Sequence, residues 1–128
     1  MKRVAVLGIK DAEPDPDAPA HTIPLMMSRL GIEMTGVNPR VPHALGQPTL
    51  ASLDELPPGI DVLNVFRRSE AIPELADSIL ALPLERRPRV VWLQSGIRHE
   101  DATARLTEAG ITVIQDACLG VYAKRYRR

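Results

Sequence analysis

The sequence is short of the features that commit a chain to the cell exterior, to a membrane or to nucleic acid. One cysteine stands in 128 residues, Cys118, so no internal disulfide can form and a disulfide-stapled scaffold is excluded. The 16 basic and 16 acidic side chains cancel, so there is no overall field to hold a polyanion, and no nucleic-acid partner is expected. No apolar run approaches the roughly 20 residues that span a bilayer; Arg or Asp interrupts each hydrophobic stretch sooner. No membrane partner is expected. Met1-Lys2-Arg3 leads straight into a strand-like segment without the apolar stretch of a signal peptide, which points to a cytoplasmic location. His43 and His99 are far apart and lack Cys or carboxylate partners at ligand spacing, so no metal site is expected.

With 45% hydrophobic residues, the chain suffices for one domain over residues 1–128 and is too short for two ordinary ones. Short runs rich in Val, Ile and Leu alternate with segments of helical spacing, the pattern of βαβ units around a parallel sheet. Five strands are predicted, at Arg3–Leu7, Glu33–Val37, Asp61–Val65, Arg89–Leu93 and Ile111–Ile114. The third and fourth are nearly continuous apolar runs, as central strands covered on both faces should be. The fold class is therefore α/β, a single Rossmann-like domain with about five parallel strands and helices on both faces. Ile23, Leu25, Met26, Met27 and Leu30 share one helical face, capped at Gly31. Pro14, Pro16 and Pro19 make its approach, Asp11 to Ala20, a long polar loop. Further helices are read at Ser52–Leu56, from Ser69 onward, and at Asp101–Ala109 before Gly110. The basic tail 121–128 has weak structural signals and is expected to pack only partly.

In an open parallel α/β sheet, ligands lie beyond the carboxyl ends of the strands, where strand order reverses. Here those ends run into Gly8-Ile9-Lys10, Asn38-Pro39-Arg40, Phe66-Arg67-Arg68-Ser69 and Gln94-Ser95-Gly96. All are polar, small or basic. Gly8 permits close backbone approach, and the start of the first helix, with His21 and Thr22, offers donors to phosphate oxygens or a helix cap. The full GxGxxG fingerprint is absent, since Lys10 and Ala12 follow Gly8. A dinucleotide fold using NAD places an acid after the second strand, whereas Asn38 and Arg40 suit a ribose phosphate, as in NADP or CoA. Adjacent residues leaving a strand point different ways, so Arg67 is expected to face the ligand and Arg68 water, near Glu70 or Glu74. Cys118 reads as a buried small residue. Ser69 and Ser95 lack a G-x-S-x-G elbow, and no catalytic triad is visible.

Val4-Ala5-Val6-Leu7-Gly8, Val37-Asn38-Pro39-Arg40, Asp61 through Glu70, and Val91-Trp92-Leu93-Gln94-Ser95-Gly96 together resemble the CoA-binding domain family. The likeness spans nearly the whole chain. The family is similar to the amino-terminal domain of the succinyl-CoA synthetase α-subunit, and its stand-alone members are small Rossmann-like proteins. The resemblance implies CoA or an acyl-CoA as the bound ligand. It places the nucleotide across Gly8 and Ile9, with Asn38, Pro39 and Arg40 near the adenosine phosphates. Phe66 and Arg67 would then lie beside the third strand, and Gln94, Ser95 and Gly96 would complete the crevice. Pro19-Ala20-His21 resembles the Pro-Ser-His element of relatives, which directs His21 or Thr22 toward the pyrophosphate. The sequence departs from relatives at Lys10, where many have serine, at Ala20, which lacks the hydroxyl, and at Ala117, where many have arginine. The resemblance implies no reaction, because the phosphohistidine segments of the synthetase are missing from this chain.

Three functions are compatible with these features. The first is non-catalytic binding of CoA or acyl-CoA at the strand ends. The second is an enzyme dependent on NADP or another nucleotide, which Arg40 permits but which needs a proton donor beyond this minimal sheet. The third is a partner-binding module with a vestigial crevice, in which the tail bases Lys124, Arg125, Arg127 and Arg128 matter. An exposed edge strand is compatible with a homodimer.

Overall fold

A computed structural model describes residues 1–126 of the chain. Its main sheet is built from β1 (Arg3–Leu7), β2 (Glu33–Val37), β5 (Val62–Val65), β6 (Val90–Leu93) and β7 (Thr112–Ile114). All pair in parallel, in the order β2-β1-β5-β6-β7. Four helices complete the layers: α1 (Pro19–Arg29), α2 (Ile72–Leu80), α3 (Glu100–Glu108) and α4 (Leu119–Tyr126). The five-stranded α/β architecture expected from the sequence is the one observed.

Strand alternation divides the core into two apolar layers. Ala5, Leu7, Leu63, Val65, Val91 and Leu93 point to the layer holding α2 and α3, where Ile72, Ile79 and Leu106 are buried. Val4, Val6, Val62 and Trp92 point the other way, toward Met27 of α1 and Leu119 and Ala123 of α4. Both layers are closed to water, which is why the central strands carry almost no polar residues. At the amino end of the strands, Asp61 accepts the backbone N–H groups of Lys2 and Arg3 at 2.8 and 2.9 Å. Those bonds hold its carboxyl below the ordinary range, with the Arg3 N–H the larger cause.

Three features differ from the sequence reading. The segment from Val121 packs only partly, as expected, with Ala123 buried and Val121, Tyr122 and Tyr126 exposed, but it is helical, continuing α4 from Leu119 and Gly120, which are buried. Arg127 and Arg128 lie outside the described residues. The first helix begins at Pro19, earlier than the apolar face alone indicates, because proline at its first position presets the helical φ. A small antiparallel hairpin, β3 (His43–Ala44) with β4 (Gln47–Pro48), follows β2. Its two-residue loop, Leu45-Gly46, has positive φ at both positions, as such turns require. The hairpin returns the chain along β2, where Leu50 N–H donates to Gly36 and Asn38 N–H donates to Leu50. No helix among the described residues is long and apolar enough to cross a membrane.

Candidate functional site

The strand order reverses between β1 and β5, so the loops leaving these neighbours diverge to opposite sides and leave a crevice above their ends. Gly8 stands at that fork. Its φ is +88° and a Cβ there would lie 2.5 Å from the Phe66 carbonyl oxygen, so only glycine lets the two loops part this closely. Two hollows open from the fork. One, of about 560 Å³, lies toward α1 and α4 and is lined by Gly8, Lys10, Phe66, Arg67, Gln94 and Cys118, among others. The other, of about 310 Å³, lies toward α2 and includes Leu7, Pro39, Ser52, Arg67 and Ser78. Arg67 lines both.

The Lys10 loop is fastened to α1 by an exchange that the sequence makes possible. Pro24, inside the helix, has no N–H for the Ala20 carbonyl one turn back. The Lys10 N–H takes that carbonyl instead, at 3.0 Å. His21, buried at 8% exposure, sets Nδ1 3.3 Å from the Lys10 carbonyl. The loop is thus tied to the first helical turn from both of its backbone groups, and the exposed Lys10 side chain stands at the hollow's rim. The second loop is fastened similarly. Asn38 Nδ2 donates to the Ile9 carbonyl at 2.9 Å and its Oδ1 accepts the Arg40 N–H at 2.9 Å.

The structure therefore sorts the residues singled out from the sequence. Gly8, Lys10, Phe66, Arg67, Gln94 and Ser95 come together on the larger hollow, and Pro39 reaches the smaller one. Ile9 turns its side chain into the core, at 1% exposure, and leaves only backbone at the fork. Asn38 spends both side-chain polar atoms on loop contacts, and His21 spends Nδ1 on one. Thr22 and Arg40 are exposed and Gly96 is held by Asp116; none of the three lines either hollow. Arg68 departs from expectation: it lines the larger hollow together with Arg67. The ion pairs of the described residues, Arg3–Glu33, Arg98–Glu100 and Arg105–Asp77, leave both arginines out. Cys118 is half-buried and forms part of the same wall.

One polar residue beneath the crevice went unmarked in the sequence. Asn64 sits in the middle of β5, completely buried, and donates through Nδ2 to Gln94 Oε1 at 3.1 Å. Its signal was a lone amide within Val62-Leu63-Asn64-Val65, where burial on both faces makes a polar residue costly. Chemically the larger hollow brings exposed cations, Lys10, Arg67 and Arg68, together with apolar side chains and the Gln94 amide. That suits an anionic group joined to a neutral arm. No group of three or more His, Cys, Asp or Glu able to hold a metal ion occurs among the described residues.

Comparison with known proteins adds to this geometry. The sequence pattern of a family described as the CoA binding domain matches residues 2–124. The uncharacterized protein YneT of Bacillus subtilis is 41% identical over 120 residues, covering 94% of this chain and 84% of YneT. A solved structure from Thermus thermophilus, cell-free ID.343, superposes with a TM-score of 0.84 at 42% identity, over 97% of this chain and 89% of that one. A conserved hypothetical protein from Pyrococcus furiosus shares the fold, with a TM-score of 0.82 at 22% identity over 95% of this chain and 99% of that one.

Proposed function

The chain belongs to the CoA-binding domain family, and from that premise we propose that it binds CoA or an acyl-CoA, without a reaction of its own, in the crevice above β1 and β5. The observation that carries this reading is the position of Arg67, which lines both hollows at the fork where the strand order reverses. A guanidinium there can hold a phosphate bidentately while the two ends of the ligand extend to either side. The smaller hollow, with Pro39 and Ser52, would take the adenosine. The larger, lined by Ile23, Phe66 and Ile97, would take the pantetheine arm, with Lys10 and Arg68 near the pyrophosphate. Simple binding asks for no proton donor or nucleophile. Sequestration, sensing or delivery of the ligand to a partner are the roles it would serve.

Calorimetric titration of the ligand-stripped protein with CoA, with NADP as the control, tests this. CoA is expected to bind, and Arg67→Ala to weaken it about tenfold to a hundredfold through loss of a charge-assisted contact. Absence of CoA binding would overturn the reading in favour of a crevice that has lost its nucleotide, and selective NADP binding would replace the ligand.

A further inference from the structure

The orientation of the amide beneath the crevice is dictated by the backbone. Leu119 N–H, at the start of α4, lies 3.2 Å from one terminal atom of Gln94, and an N–H can only donate, so that atom is the oxygen. The Asn64 atom that faces the same oxygen at 3.1 Å must then be the amide nitrogen. The Trp92 carbonyl, 3.4 Å from that nitrogen, requires the same assignment. Turning either amide over would set like against like. Gln94 Oε1 thus receives two donors. No protein group among the described residues takes up its Nε2. Unlike Asn64 Oδ1, which is buried without a partner, Nε2 is not sealed from solvent.

Resting on the CoA reading above, we infer that Gln94 Nε2 donates a hydrogen bond to a carbonyl oxygen in the ligand's arm, either a pantetheine amide or an acyl thioester, and that Asn64 is the positioning residue that fixes this donor. The cations on the larger hollow, Lys10, Arg67 and Arg68, are exposed, whereas Gln94 is 5% exposed in a wall shared with Ile23, Ile97 and Cys118. A nearly buried neutral donor bordered by apolar side chains matches a neutral acceptor, whereas a phosphate is better held by the exposed cations of the same hollow. Asn64 fits the same account. It keeps one buried oxygen unpaired, a cost an aliphatic residue would avoid, while its nitrogen holds Gln94 in the donating orientation.

The test compares three probes, CoA, acetyl-CoA and adenosine 3′,5′-bisphosphate, on the full chain and two variants by calorimetric titration. Gln94→Glu keeps an acceptor for Leu119 and Asn64 but has no donor. It is expected to weaken CoA at least about tenfold and to leave the bisphosphate within about twofold. Asn64→Leu removes the buried orphan oxygen and frees the Gln94 amide to rotate. It is expected to weaken CoA about threefold to fivefold, spare the bisphosphate, and keep or raise the thermal midpoint. A loss larger for acetyl-CoA than for CoA assigns the thioester carbonyl, and equal losses assign a pantetheine amide. Undiminished CoA binding by Gln94→Glu overturns the inference while leaving the CoA reading intact, as does an equal loss for CoA and bisphosphate. An unsubstituted chain that binds none of the probes overturns the CoA reading itself.

Discussion

Replacing Gly8 with alanine should cost far more than the same change at a glycine of equal backbone angle elsewhere. Gly8 and Gly110 have φ of +88° and +90°, so both variants incur the left-handed penalty, about 1–2 kcal/mol. They differ in surroundings. A Cβ at Gly110 meets nothing within 4 Å, whereas at Gly8 it lies 2.5 Å from the Phe66 carbonyl oxygen. That oxygen cannot retreat freely. Gly8 N–H is bonded to Val37 and Phe66 N–H to Leu7, both at 2.9 Å, so parting the strand ends stretches the sheet itself. Overpacking of this kind adds about 1–3 kcal/mol, giving about 2–5 kcal/mol for Gly8→Ala. For a chain of 128 residues, the thermal midpoint should fall by about 3–10 °C in Gly110→Ala and about 6–25 °C in Gly8→Ala. Urea denaturation with a shared slope would convert both to free energies. Equal losses in the two variants would refute the reasoning, since the close approach at the fork would then have no energetic weight.

Asp61→Asn tests the other end of the sheet: the folded-state pKa is depressed, so the carboxylate's contribution is present above its ordinary pKa and lost as pH falls through the lower one. The variant should be less stable by about 1 kcal/mol near neutrality, with the difference fading below about pH 4, as read from thermal midpoints across pH. Leu106→Ala, at a side chain with 0% exposure between α3 and the sheet, should cost about 2–5 kcal/mol in urea denaturation. Gly120→Ala should stay within about 1 kcal/mol of the parent, because its Cβ would meet side-chain atoms rather than backbone, Ile23 Cγ2 and the flexible Met26 Cε at 3.0 Å and Cys118 Sγ at 3.6 Å, and alanine favours the helix. A loss as large as that of Gly8→Ala would show the α1–α4 contact to be rigid.

The sheet was legible because strands buried on both faces leave an apolar run that nothing else in a short chain explains; β5 and β6 are the clearest cases. Helix α4 was not. Its buried face is Leu119 with the small residues Gly120 and Ala123, which seat the helix by close approach, while Val121, Tyr122 and Tyr126 stay outside. One large apolar residue beside two small ones makes a weak period among exposed bases, so the segment reads as a tail. The hairpin was hidden for a related reason: strands of two residues have no alternation to detect, and Leu45 is not a residue that advertises positive φ. At the crevice, Gly8, Lys10, Phe66, Arg67, Gln94 and Ser95 border the larger hollow and Arg40 and Gly96 border neither, a division that depended on contacts between distant segments. Asn38 and His21 read as ligand groups in the sequence, and in the structure Asn38 and the Nδ1 of His21 also fasten the loops. Pro24 reads only as a helix blemish until the Lys10 N–H is found on the carbonyl it leaves unclaimed.

The chain's single tryptophan is placed to be its own optical reporter. Trp92 is 9% exposed, its indole N–H is bonded to the Ala117 carbonyl at 2.9 Å, and Tyr122 of α4 lies 5.2 Å away. Ala117 directly precedes Cys118 on the crevice wall. Light absorbed by Tyr122 or Tyr126 therefore passes to one emitter whose spectrum depends on how α4 is docked. Unfolding should shift that emission to longer wavelength, and a ligand that moves the Cys118 segment should change its intensity, so both events can be followed on the unlabelled protein.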